Sequence, residues 1–299
     1  MSETTKPTIG VLGLGIMGLA YARHLLAAGH PVLGYDVADE AKNAFVEAGG
    51  RLVEAPRDLA RETRIVLVAL ASEKALRSAL LGEDGVLAAA RSDTILVEMG
   101  TFAIPLKEEI RSRVEAAGAR MLDCPVSGTG AQAATRDLVV YASGDPDAIA
   151  RARPALEAVA RQVMEVGLFG AGMKLKIVAN LLVTVHNLAA AEALHLAERS
   201  GLDLQTVFEA IRSGAGTSRM FEVRGPLMIE DRYRPATMRM ATYMKDLDLI
   251  LDHARDVRAT TPLMAAALPW YVTALGQGRD EDDTAALYPT LRAAAGGAA

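Results

Sequence analysis

Up to about residue 166 the chain alternates two hydrophobic patterns. Short, mainly apolar runs at 9–12, 32–35, 65–70, 94–98 and 138–142 are set off by Gly, Pro, Asp and Ser, and 120–123 reads as a further strand. Continuous apolar runs of this length predict strands buried on both faces. Between them, apolar residues recur at helical spacing over 17–28, 38–48, 73–80, 105–117 and 145–159. Residues 51–53 read as a short strand, 56–59 as a turn or helix start and 161–166 as a last edge strand. Such β-α-β alternation predicts a parallel sheet with helices on both faces. Ligands bind beyond the carboxyl ends of the strands in such sheets, so loops 71–72, 99–101 and 124–130 are expected to line one crevice.

From residue 170 the pattern changes. Residues 170–199 form one long apolar-periodic stretch stopped at Gly201, followed by helical stretches at 203–212, 244–257, 262–275 and 280–295, with no convincing strand. An α/β domain over residues 1–168 and an all-α domain over 169–299, joined by a long interdomain helix, are therefore expected.

Composition narrows the function. The chain has 299 residues, 51% of them hydrophobic, enough for two real cores. A net charge of −5 offers no basic footprint for nucleic acid. The single cysteine, Cys124, excludes an intrachain disulfide framework and fits a reducing compartment. The polar start MSETTKPT lacks a signal core, and no unbroken apolar run approaches the ~20 residues that span a bilayer. A cytoplasmic protein with no membrane partner is expected. The five histidines do not cluster, no metal-ligand spacing occurs, and no metal is expected.

The first apolar run leads into G-x-G-x-x-G at Gly13, Gly15 and Gly18, with Ile16 and Met17 between the last two glycines and expected at the cofactor, then the helix from about Met17, a second strand and Asp36. That order is the Rossmann dinucleotide fingerprint. Gly13 permits the turn, Gly15 lets a pyrophosphate approach the backbone, and Gly18 lets the helix pack closely. The helix N-terminus offers free N–H groups to phosphate, and Asp36 stands where a carboxylate accepts ribose hydroxyls. Val37 follows, and no basic residue comes before Lys42, so NAD is expected rather than NADP.

Three later stretches carry chemistry. In DCPVSGTGAQAATRDL, residues 123–138, Ser127, Gly128 and Gly130 make either an anion-binding nest for a carboxylate or an ordinary strand–turn loop. In GLFGAGMKLKIVAN, residues 167–180, Lys176 and Asn180 share one helix face in apolar surroundings. They are either a proton carrier with an orienting amide or a snorkelling lysine beside a surface amide. Lys174 is expected to be solvated. Lys245, Asp246 and Leu247 are expected to open a helix, as either a site or a surface ion pair.

These four stretches resemble the signatures of the β-hydroxyacid dehydrogenases, the group around 3-hydroxyisobutyrate dehydrogenase, tartronate semialdehyde reductase and, more distantly, 6-phosphogluconate dehydrogenase. GLGIMG at 13–18 with AGH at 28–30 matches the cofactor signature. Residues 123–138 align with D-x-P-V-S-G-G-x-x-G-A-x-x-G-T-L, residues 167–180 with G-x-x-G-x-G-x-x-x-K and its following asparagine, and KDL at 245–247 with the fourth signature. The resemblance implies that Lys176 is the acid/base and that Asn180 holds substrate. It implies that Ser127, Gly128 and Thr129 bind a substrate carboxylate. Lys245 would approach cofactor and substrate with Asp246 beside it, and Leu70, Ala71 and Thr101 would lie along the cofactor. The activity implied is reversible hydride transfer between NAD and a small hydroxy acid. A free lysine has pKa ~10.4, so the base role requires surroundings that lower it.

The chain departs from the pattern where Gly100 replaces serine, Thr129, Gln132 and Arg136 replace glycines, and Asp137 replaces threonine. Two other readings are open: an NADPH-dependent imine reductase with a similar two-domain build, and a non-catalytic dinucleotide sensor. The retained Lys176 argues against both. Ala-rich stretches 262–275 and 280–295 leave apolar surface for a homodimer or homotetramer.

Overall fold

The computed structural model describes residues 6–296. It divides into two compact units, Met1–Lys176 and Ile177–Ala299.

The first unit runs β1 (Ile9–Leu12), α1 (Ile16–Ala27), β2 (Val32–Tyr35), α2 (Asp39–Glu47), β3 (Arg51–Leu52), α3 (Pro56–Glu62), β4 (Ile65–Val68), α4 (Glu73–Leu81), β5 (Ile95–Glu98), α5 (Ile104–Ala116), β6 (Arg120–Asp123), β7 (Val126–Ser127), α6 (Gly130–Ala134), β8 (Val139–Ser143), α7 (Pro146–Val159) and β9 (Gln162–Gly167). The sheet order is β3-β2-β1-β4-β5-β6-β8-β7, with β9 paired to β8. Every residue of β1, β4 and β5 is buried, because helices cover both faces. One face packs Tyr21, Leu25, Ile149 and Leu156 from α1 and α7, and the other packs Leu59, Leu76, Ile110 and Val114 from α3, α4 and α5. The order reverses between β1 and β4, and the glycine-rich loop leaves β1 at that switch point.

The fully parallel sheet expected from the sequence holds only from β3 through β6. β8 runs antiparallel to β6 and to β7. The chain returns after β6 through the short β7 and α6, without a crossover helix, and such a return reverses direction. Stretch 124–130 was expected to be all loop. It instead forms β7 and opens α6, elements of 2 and 5 residues that are too short to show periodicity.

α8 (Ala171–Arg199) begins in the first unit and continues into the second. Its 29 residues span about 43 Å. It ends at Gly201, φ +72, where the Leu202 N–H reaches back to the Ala197 carbonyl. By length and composition α8 is apolar enough to cross a membrane, a test that the core helix of a folded domain also passes. Polar residues interrupt the runs without lowering the average much. Buried Asn180, Thr184 and Asn187 on α8 bond to protein partners, as the side chains of a core helix do.

In the second unit α9 (Leu204–Arg212), α10 (Arg219–Ile229), α11 (Met240–Asp256), α12 (Pro262–Gly276) and α13 (Leu287–Ala294) follow. Asp203 and Ser218 cap α9 and α10. α10 was unexpected, since Gly225 and Pro226 break its pattern; a Cβ at Gly225 would stand 2.8 Å from the Phe208 ring. The expected helix over 280–295 is confined to a 3-10 turn at Thr284–Ala286 and α13. The chain before it is held by Asp283, whose carboxylate accepts from Thr237, Met238 and Ala285 N–H groups and pairs with buried Arg224. α11 starts at Met240, so Lys245 lies in its second turn and does not open it.

Candidate active site

β1 runs into Gly13, whose φ of +90 lies in the left-handed region. A Cβ at Gly18 would stand 1.8 Å from the Gly13 carbonyl oxygen, so α1 packs on that turn only with glycine there. A Cβ at Gly15 would meet nothing within 4 Å; the space in front of it is open. α1 has no side-chain N-cap, and Ile16 is 79% exposed at its start. Its first N–H groups thus present the positive end of a helix to open space, an arrangement that fits a pyrophosphate.

Asp36 ends β2 with both carboxylate oxygens anchored. Oδ2 accepts the Leu14 N–H at 2.6 Å and Oδ1 the Ala38 N–H at 2.9 Å. Each oxygen keeps a further lone pair for a ribose hydroxyl. Asp36, Val37 and Leu70 line a cleft of about 350 Å³ with Pro56 and Ser78, within the small-molecule range of roughly 300–1,000 Å³. Ala71 follows Leu70 as an exposed residue. The anchored acid, the open glycine and this cleft together fit the adenosine half of a dinucleotide.

Val68, Glu98 and Asp123 are paired in register, so the loops after β4, β5 and β6 leave one edge of the sheet. Thr101 sits in the second of these loops, half-buried. Gly100 departs from the family serine for a steric reason: a Cβ there would stand 2.5 Å from the Phe102 ring and 2.7 Å from the Glu98 carboxylate.

The loop expected to bind substrate leaves β7 at Ser127. Gly128 has φ +135, and a Cβ on it would stand 2.4 Å from Leu138. Thr129 is the N-cap of α6, and the Gln132 Oε1 accepts its N–H at 3.1 Å. Gln132 Nε2 donates to Asp137 at 3.3 Å, and the other Asp137 oxygen takes Arg161 at 2.8 Å. Three of the four departures in this loop are thus joined in one hydrogen-bonded chain. Arg136, the fourth, has φ +61 where the family pattern carries glycine. Gly130 closes against α1: a Cβ there would meet Ile16 at 2.6 Å, and His24 on α1 bonds to the Ala133 carbonyl. Packing therefore brings Ser127, Gly128 and Thr129 to the start of the cofactor helix.

On α8, Lys176 is half-buried, Lys174 is exposed and Asn180 is 5% exposed. Lys176 closes the first unit. In the second unit Asn180 Nδ2 donates to Asp246 at 2.9 Å, which fixes the amide, and Lys245 Nζ stands 3.9 Å from the other Asp246 oxygen.

Sequence reasoning missed one cluster. Glu98, Lys107 and Asp123 are fully buried, with Lys107 Nζ 2.6 Å from each carboxylate and 2.9 Å from the Gly100 carbonyl. Burial pushes the Glu98 pKa up; burial also works to lower Lys107, but the two carboxylates outweigh it and hold the ammonium form. The available signal was that Lys107 shares helical spacing with buried Ile110 and Val114.

Residues 8–170 match the NAD-binding domain of 6-phosphogluconate dehydrogenase, and residues 170–291 match the family described as NAD-binding of NADP-dependent 3-hydroxyisobutyrate dehydrogenase. The chain is 36% identical over 281 residues to an L-threonate dehydrogenase of Cupriavidus necator, covering 93% of this chain and 94% of the relative. It is 32% identical to a probable 3-hydroxyisobutyrate dehydrogenase of Mycobacterium tuberculosis, covering 96% and 99%. The crystal structure of 3-hydroxyisobutyrate dehydrogenase from Salmonella typhimurium superposes with a TM-score of 0.85 at 31% identity, covering 95% and 99%. An imine reductase from Pseudomonas sp. shares the fold, with a TM-score of 0.61 at 20% identity. The chain belongs to the β-hydroxyacid dehydrogenase family and is an NAD-dependent oxidoreductase of small hydroxy or keto acids.

Proposed function

We propose that the chain interconverts a small, polyhydroxylated four-carbon acid and its keto acid with NAD(H), using Lys176 as general acid/base. The nicotinamide of the bound dinucleotide supplies the hydride acceptor or donor. Ser127 and the backbone at Gly128 and Thr129 take the substrate carboxylate. Asn180, its amide fixed by Asp246, orients the reacting hydroxyl. Lys176 accepts the hydroxyl proton during oxidation and returns it during reduction, so alkoxide charge never builds up unaided. Lys245 contributes positive charge to the substrate from α11.

One observation carries this reading: half-buried Lys176 stands on the first turns of α8 in the unit that holds the dinucleotide site, while Lys174 is exposed. The threonate relatives at 31–36% identity favour a polyhydroxylated acid over the branched, less polar 3-hydroxyisobutyrate. The polar cluster of Thr129, Gln132 and Asp137 beside the carboxylate loop is compatible with such a substrate.

The test is a steady-state comparison of L-threonate, 3-hydroxyisobutyrate and a cyclic imine with both cofactors. The highest kcat/KM is expected for L-threonate with NAD. A higher value for 3-hydroxyisobutyrate would move the substrate to the branched acids. Turnover of the imine alone would remove the hydroxy-acid reading.

A further inference from the structure

The cluster around Lys107 reaches the start of α8. Lys107 and Ser143 lie outside all four signature stretches, and nothing in the proposed reaction uses Asp123. Yet Asp123 Oδ2 accepts the Met173 N–H at 2.8 Å, and Ser143 Oγ accepts the Gly172 N–H at 3.0 Å while donating to the Asp123 carbonyl at 2.9 Å. Gly172 and Met173 are the second and third residues of α8, whose N–H groups have no partner within the helix. Strand ends therefore supply the cap. The approach is as close as backbone allows, since a Cβ at Gly172 would stand 2.5 Å from the Tyr141 carbonyl and 2.8 Å from that of Asp123.

Lys176 is four residues beyond Gly172, one turn up on the same face. Its Cα–Cβ bond tilts toward the helix N-terminus, back over the capped turn. The rotation and height of that turn thus set where Lys176 stands relative to the ends of β6 and β8. Lys107 locks the Asp123 carboxylate from its other oxygen and binds the Gly100 carbonyl, so the loop carrying Thr101 is tied to the same point. The Asp123 carboxylate, braced by Lys107, stands under a helix N-terminus, where negative charge is favourable.

We infer that Asp123 and Ser143, braced by Lys107, are positioning residues for Lys176, fixing the first turn of α8 against the ends of β6 and β8. The inference rests on the reading of Lys176 as acid/base. Misplacement of a reacting group by about 1 Å can cost on the order of 10²-fold in rate.

The test uses the full chain with Ser143→Ala, Asp123→Asn and Lys176→Ala, singly and combined. Ser143→Ala should lower kcat about 10-fold to 100-fold while NADH affinity and substrate KM stay within about twofold. Hydrogen exchange should quicken in a peptide covering residues 171–176. In the Lys176→Ala background, Ser143→Ala should lower the residual kcat no further, because its effect runs through a side chain already gone. Asp123→Asn should behave alike; if it fails to fold, Ser143→Ala decides. Faster exchange with unchanged kcat, or additive losses in the double variant, would overturn the positioning role and leave the lysine reading standing. Full turnover by Lys176→Ala alone would remove the acid/base reading and this inference with it.

Discussion

A carboxylate proposed to receive two ribose hydroxyls must be held still, and Asp36 is held by backbone. The Leu14 and Ala38 N–H groups fix its plane, and Val37 beside it is 80% exposed with nothing to pair a phosphate. NADH should therefore give the higher kcat/KM, and Asp36→Ser with Val37→Arg should move the ratio toward NADPH by at least about tenfold, the effect of ~1.4 kcal/mol. Steady-state kinetics with both cofactors check this. Arg136 is a second residue whose backbone decides its role. Its φ of +61 costs an L side chain roughly 1–2 kcal/mol, and its neighbours Asp137 and Arg161 pair without it. Arg136→Gly relieves that cost but loosens the unfolded chain. It should raise unfolding stability by up to about 1 kcal/mol in urea titration.

At the scale of elements, the sequence exposes whatever repeats. β1 and β2 fall at their expected limits, because each is an apolar run ended by a glycine or a charged residue, and β6 falls at its limits with charged Arg120 and Asp123 as its two ends. α6 and β7 were hidden, since elements of 5 and 2 residues complete no period. α11 began early because Met240 and Tyr243 are buried among polar neighbours that mask the first turn. Of the candidate site, Gly13, Gly18, Asp36 and Lys176 were visible as spacing, and the roles given to Asp36 and Lys176 are proposals. The link from Lys107 through Asp123 to α8 was not, because it joins residues 16 and 50 positions apart through side chains that spacing does not register. That cluster carries its own prediction. Lys107→Met leaves Glu98 and Asp123 buried without a cation, which should cost about 3–5 kcal/mol near neutral pH. Burial holds the Glu98 pKa above its unfolded value, so its protonated form is the one the fold accepts. The stability it contributes is complete below the unfolded pKa of ~4.3 and is lost as pH rises through the folded value. The variant should therefore be more stable at about pH 5 than at about pH 8. Chemical denaturation at both values measures this, and equal loss at both would contradict it.

For the whole molecule, the residues proposed for the chemistry fall in both units: Gly13, Gly15, Gly18, Asp36, Ser127 and Lys176 belong to one, and Asn180, Lys245 and Asp246 to the other. Assembly belongs to this scale as well. Val178, Leu182 and Leu196 are 55%, 49% and 69% exposed along one stripe of α8, since 4 and 18 residues bring a helix back to the same face. With Leu263 at 65% and Val272 at 52% on α12, they leave apolar surface that a homodimer or larger assembly would cover. Light scattering at micromolar concentration should give at least twice the mass of the chain, and a monomer would contradict this.

The most direct test of the central claim compares Lys176→Ala with Lys174→Ala in single-turnover hydride transfer, alongside NADH binding. Lys176→Ala removes the proton carrier and leaves Gly13, Gly15, Gly18 and Asp36 in place. Its rate should fall by about 10²–10⁴ while NADH affinity is unchanged. Exposed Lys174, turned to another face of the same helix, should be replaceable at almost no loss. Full activity in Lys176→Ala, or loss in Lys174→Ala alone, would contradict the assignment of Lys176 as the acid/base.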